Sequence, residues 1–150
     1  MGNFGIVKAL SPFPGLGGTG RTCGAVSGGL VALGLYFGSD DVCNYESNRA
    51  AATAARVFLQ RFEETFGSLQ CKDIQTLLLG RYFDPSGGKA NAEAFVEAKG
   101  YEKCTVAAGI GARLAAEVII ESMEGMDRPQ ETIPSMLSST TERGSRKRRA

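Results

Sequence analysis

Four cysteines carry the chemistry open to this chain: Cys23, Cys43, Cys71 and Cys104. A thiolate is a nucleophile, a disulfide partner and a soft metal ligand, whereas the protonated thiol is a poor version of each. Cys23 sits in Gly20-Arg21-Thr22-Cys23-Gly24-Ala25-Val26-Ser27-Gly28, where a glycine-rich loop is expected to turn into a helix. A helix start presents free N–H groups and a positive dipole end, which favour the charged sulfur. Cys71 and Cys104 also fall in the first turn of expected helices, and Cys43 lies just ahead of one. Three such starts, if they converge, would stabilise a cluster of thiolates or a metal centre of net negative charge. The plainer reading of any one of them is a small buried apolar side chain.

The rest of the composition narrows the chemistry. The chain has no histidine, which removes Ser-His-Asp and Cys-His catalysis, histidine-containing zinc sites and CxxCH haem attachment. No CxxC pair occurs, so neither a zinc ribbon nor a thioredoxin-type motif has local support. No basic segment followed by an apolar stretch opens the sequence, and a cytoplasmic protein with thiols rather than structural disulfides is expected. The uncharged run 22–39 is near the lower length of a membrane span. Its five glycines and polar Thr22, Ser27 and Ser39 make a closely packed helix of a soluble domain the better expectation.

Charge divides the chain in two. Residues 127–150 hold six Lys/Arg against three acids, leaving the first 126 residues at a net charge of −2. The body is therefore not a polyanion binder, and nucleic acid is not an expected partner. The composition from Asp127 onward, rich in Pro, Ser, Thr and charge, predicts a disordered basic tail after a single helical domain over 1–126.

The elements that must position the cysteines are helices. Ser11-Pro12-Phe13-Pro14 breaks whatever precedes it, and a helix is expected from about Thr22 to Phe37. Ala51, Ala55, Phe58, Phe62 and Phe66 form one apolar stripe over 46–66, closed by Gly67. Ser68 is the expected N-cap of a short helix from Cys71 to Leu79. Asp84-Pro85-Ser86-Gly87-Gly88 reads as a turn or mobile loop, followed by a helix over 91–98. A last helix is expected over 102–123, with Val106, Ile110, Leu114 and Val118 on its buried face. No segment alternates convincingly, so the class is all-α, a small helical bundle with a glycine-rich N-terminal loop. Gly24, Gly28 and Gly34 would allow close helix contact and hence a homodimer.

Gly15-Leu16-Gly17-Gly18-Thr19-Gly20 matches GxGxxG, with Asp40 and Asp41 some way on, as in a dinucleotide fingerprint. The context argues against it. Two prolines separate the glycines from the only apolar run that could be a first strand, so a loop bending the chain toward Cys23 is expected instead.

The block from Gly15 to Gly38, with Cys23-Gly24-Ala25-Val26-Ser27-Gly28 inside it, resembles the CGAxxG signature of the C_GCAxxG_C_C family. Phe62-Glu63-Glu64-Thr65-Phe66-Gly67-Ser68-Leu69-Gln70-Cys71 is similar to the family's stretch around its third cysteine. Tyr101-Glu102-Lys103-Cys104 is similar to the setting of the fourth. The likeness covers roughly residues 5–124. It implies a helical, redox-active, intracellular protein of bacteria or archaea, often encoded beside transporter genes. It also implies kinship with the cluster-bearing part of split-Soret cytochromes c, which hold an iron–sulfur centre. The family's first cysteine has no counterpart here, and Cys43 lies where the pattern asks for none.

Three functions follow as expectations. In the first, Cys23, Cys71 and Cys104 hold an iron–sulfur cluster for electron transfer to a redox partner protein or for redox sensing, with Cys43 a candidate fourth ligand. In the second, Cys23 is the attacking thiolate of a thiol–disulfide protein, and Cys71 or Cys104 resolves it. In the third the chain is a non-catalytic interaction module, a partner of a membrane transporter, with merely buried cysteines.

Overall fold

The computed structural model describes residues 4–126. The expected tail, 127–150, lies outside the described residues. In order the elements are α1 (Phe4–Ala9), α2 (Gly15–Gly18), α3 (Gly24–Phe37), α4 (Tyr45–Phe66), α5 (Cys71–Leu79), a 3-10 turn (Pro85–Gly87), α6 (Gly88–Glu97) and α7 (Gly100–Met126). The all-α class holds. Among the described residues the only β feature is an isolated antiparallel bridge between Thr22 and Gln70, and no helix is long and apolar enough to cross a membrane.

The core is a bundle of α3, α4 and α7, with α5 and α6 packed along α7. α4 forms for local reasons before packing selects it. Asn44 caps it by accepting the Ser47 N–H at 3.1 Å, Glu46 complements the dipole in the first turn, and Gly67 ends it at φ 74°. Its buried face is Ala54, Phe58 and Phe62, while Ala51 and Ala55 are only half-buried, so the aromatic end of the expected stripe is the part that holds. Phe58 and Phe62 are wholly buried.

Two glycines let the helices approach. The Phe58 ring packs directly on Gly29 of α3, where any Cβ would collide with it. On α7, a Cβ at Gly111 would stand 3.0 Å from the Ala25 carbonyl oxygen. Neither is among the glycines that the sequence singled out. Gly24 does meet Pro14, with a Cβ 3.2 Å from the proline Cα, but Gly28 and Gly34 face open space. On α7 the buried apolar side chains are Ala107, Leu114, Ala115 and Val118; Val106, expected on that face, is half exposed, and Ala107 takes its place. The pitch of the helix, not the identity of the residue, decides which neighbour turns inward.

α3 and α7 run side by side in the same direction. Gly111 meets Ala25 near one end, and Phe37 and Val118 share a surface groove farther along. Both N-terminal ends therefore lie at one end of the bundle, and Cys23 and Cys104 lie there with them. Arg61 of α4 fixes the crossing over α7 through two bonds to Glu121, at 2.8 and 2.7 Å.

The glycine-rich segment is a turn of inverted hand. Gly15, Leu16, Gly17 and Gly18 all have positive φ, from 48° to 74°, and Thr19 N–H closes the turn onto the Gly15 carbonyl at 2.9 Å. L-residues avoid this region, so glycine at three of the four positions is what lets the turn form. A helix, α1, occupies the place where a dinucleotide fold would need its first strand.

Candidate redox site

Two segments distant in sequence meet beside Cys23 and Cys71. The Thr22–Gln70 bridge is flanked by Cys23 N–H to the Leu69 carbonyl at 2.9 Å and Cys71 N–H to the Arg21 carbonyl at 2.6 Å. Side chains alternate across a paired strand, so Cys23 and Cys71, one residue beyond the bridge on either chain, project from the same face on a diagonal. Cys23 is the N-cap of α3 and Cys71 the first residue of α5. Gln70, not Ser68, is the cap of α5; the Ser68 hydroxyl accepts the Gln70 N–H at 3.0 Å and donates to Asp73 at 2.7 Å.

Cys104 joins them from α7. A charge on Cys23 would push Cys71 up, and charges on Cys71 and Cys23 would each push Cys104 up, so the three sulfurs lie within electrostatic reach of one another. Cys43 takes no part in this. It is exposed in the linker before α4, where its N–H donates to Asp41 at 2.9 Å. Cys104 is the fifth residue of α7, because that helix begins at Gly100. It stands past the free N–H groups of the first turn, contrary to the expected placement.

The electrostatics also reverse the expected sign. Burial pushes the Cys23 thiol up, and the N–H groups of Ala25 and Val26 pull it back only in part. Burial likewise raises Cys71, against a lowering bond from Gln75, and raises Cys104. The helix starts are there for Cys23 and Cys71, but lost hydration outweighs them. Burial therefore favours the protonated thiol at all three.

Sequence reasoning missed Gln75. It is buried at 6% exposure, donates through Nε2 to Cys71 Sγ at 3.5 Å and accepts the Phe83 N–H through Oε1 at 3.1 Å. Its position four residues after Cys71 on one helix was the available signal. It also missed a cavity of 340 Å³ that opens beside Cys71, walled by the inverted turn, by Tyr82 to Pro85, and by aromatic rings of α6 and α7. Cys23, by contrast, is sealed at 9% exposure.

An iron–sulfur cluster needs its ligands in one shell. Among the described residues no group of three or more Cys, His, Asp or Glu side chains stands close enough to hold a metal ion. The three thiols do not form that shell, so the side chains as placed do not fit the cluster.

A family model described as "Putative redox-active protein (C_GCAxxG_C_C)" matches residues 2–118. The chain belongs to the C_GCAxxG_C_C family. The match takes in Cys23, Cys71 and Cys104, and it ends within α7. No curated protein and no solved structure matches the chain.

Proposed function

We propose that Cys23, Cys71 and Cys104 are the redox centre of this family member and that it works as a dithiol. What supports the reading is the backbone bridge beside which both Cys23 and Cys71 stand, together with the cavity that Cys71 borders. This reverses the roles expected from sequence. Cys71 attacks, because it is reachable and receives a bond from Gln75 that favours its thiolate; Cys23, sealed behind it, resolves. Diagonal partners across a bridge have Cα atoms about 7–8 Å apart. A disulfide wants roughly 4.4–6.8 Å, so the helix starts close by a small shift when it forms.

The test is equilibration of the reduced, metal-free protein in oxidised and reduced dithiothreitol, followed by peptide mapping. A reversible Cys23–Cys71 disulfide is the expected product. A chain that keeps both thiols free under strongly oxidising buffer overturns the dithiol reading.

Cys104 favours a second reading. A third thiol within electrostatic reach of the other two is one more than a dithiol needs, and cysteine-only coordination suits iron–sulfur chemistry. That reading requires the sulfurs to gather and a further ligand to join them. Anaerobic reconstitution with iron and sulfide tests it: a visible charge-transfer spectrum with bound iron supports it, and a colourless protein removes it.

A further inference from the structure

The cavity beside Cys71 has a chemical character of its own. Phe83, Phe95 and Tyr101 form a chain of edge-to-face rings, with centroids 5.8 and 5.0 Å apart. Tyr82 closes the side next to the inverted turn; a Cβ on Gly20 would stand 2.6 Å from its hydroxyl. Among the described residues Asp84 is the only charged side chain in the lining. Its Oδ1 holds the Ser86 N–H and hydroxyl at 2.9 and 2.7 Å, which fixes the carboxylate in place. Arg81 stands over the Phe83 ring at 4.3 Å but is not part of the lining.

Aromatic faces carry negative potential and attract cations, and a lone carboxylate adds to that preference. Among the described residues no Lys or Arg lines the cavity to receive an anion. The volume, at the low end for ligand sites, admits a small molecule and is too small for a folded protein loop. We infer that this cavity delivers a low-molecular-weight disulfide bearing cationic groups to Cys71, in preference to neutral or anionic ones. The inference rests on the dithiol reading above and adds its substrate class.

The reaction balances without a further reagent. Cys71 gives up its proton and the resulting thiolate attacks one sulfur of the substrate R–S–S–R; the S–S bond breaks, and the leaving thiolate takes up a proton. Cys23 then gives up its proton, attacks the Cys71 sulfur of the mixed disulfide and expels the second thiol. Two protein thiols are oxidised to one disulfide, and one substrate disulfide is reduced to two thiols.

The test uses the full reduced chain and three disulfides of similar length and different charge: cystamine, 2-hydroxyethyl disulfide and 3,3′-dithiodipropionate. Rates of mixed-disulfide formation at Cys71 are read by intact mass and peptide mapping, each normalised to the rate with a small free thiol. The expected order is cystamine, then the neutral compound, then the dianion, with about tenfold or more between the ends. Asp84→Asn should cut the cystamine-to-neutral ratio about three- to tenfold. Should that variant fail to fold, the wild-type ratio between low and high salt serves instead, and it should shrink as salt rises. Equal normalised rates, a ratio untouched by Asp84→Asn, or a salt-independent ratio overturns the charge selectivity alone. Absence of any mixed disulfide at Cys71 overturns the dithiol reading as well.

Discussion

The side-chain amide of Gln75 joins Cys71 to the wall of its cavity, donating to the sulfur at 3.5 Å and accepting from Phe83 N–H at 3.1 Å. One buried group thus serves both the reactivity of the thiol and the position of the segment that shapes access to it.

Removing it should separate the two effects. Gln75→Leu leaves the Phe83 N–H buried without a partner and is expected to cost about 1–3 kcal/mol in urea unfolding. Gln75→Glu keeps an acceptor for that N–H but loses the donor to sulfur, so Cys71 should titrate higher still. The pH dependence of iodoacetamide alkylation, followed at Cys71 by mass spectrometry, measures that displacement.

Stability of the reduced, metal-free protein should fall in alkali. Burial raises the Cys23, Cys71 and Cys104 thiols above their unfolded values. Below the ordinary thiol range, about 8.5, both states keep the proton and this contribution is fully present. As pH rises the unfolded chain ionises first, and the contribution is lost through the folded pKa values. Urea midpoints should hold between about pH 7 and 8 and drop from about pH 9 upward. Replacing all three cysteines by alanine should make the drop shallower.

The bundle should be most sensitive where α3 meets α4. Phe58→Ala, at a wholly buried ring, is expected to cost about 3–5 kcal/mol. Gly29→Ala pushes a methyl into the same ring and should cost about 1–3 kcal/mol by overpacking. Chemical denaturation with matched m-values checks both.

Two glycines distinguish backbone strain from contact. Gly67 has φ 74° with open space around it, so Gly67→Ala should cost about 1 kcal/mol. Gly20 has φ 72° and would also drive its new methyl against the Tyr82 hydroxyl. Gly20→Ala should therefore cost more, by about 1–3 kcal/mol, and alter the rate at which disulfides reach Cys71.

Much of this architecture was legible. The Phe58, Phe62 and Phe66 spacing with Asn44 ahead and Gly67 behind specified α4, because cap and periodicity agree. The family was legible from the residues around Cys23, Cys71 and Cys104. What sequence could not supply was the balance at the site. Helix starts argue for thiolates, but the amount of water excluded depends on packing from residues far along the chain, and burial prevails. The start of α7 two residues early moved Cys104 out of the first turn. The cavity arises from Tyr82, Phe95 and Tyr101, whose spacing carries no signal of a pocket and which meet only through the fold.

The Thr22–Gln70 bridge ties residues 48 positions apart. A covalent link between the cysteines beside it would close a loop of about that length, which chain-entropy arguments value at about 4 kcal/mol. By thermodynamic reciprocity, whatever the link adds to conformational stability, the native conformation returns as resistance of that link to reductants. Oxidation would then act as a latch, and loosening the bundle anywhere along its length would make the latch easier to open.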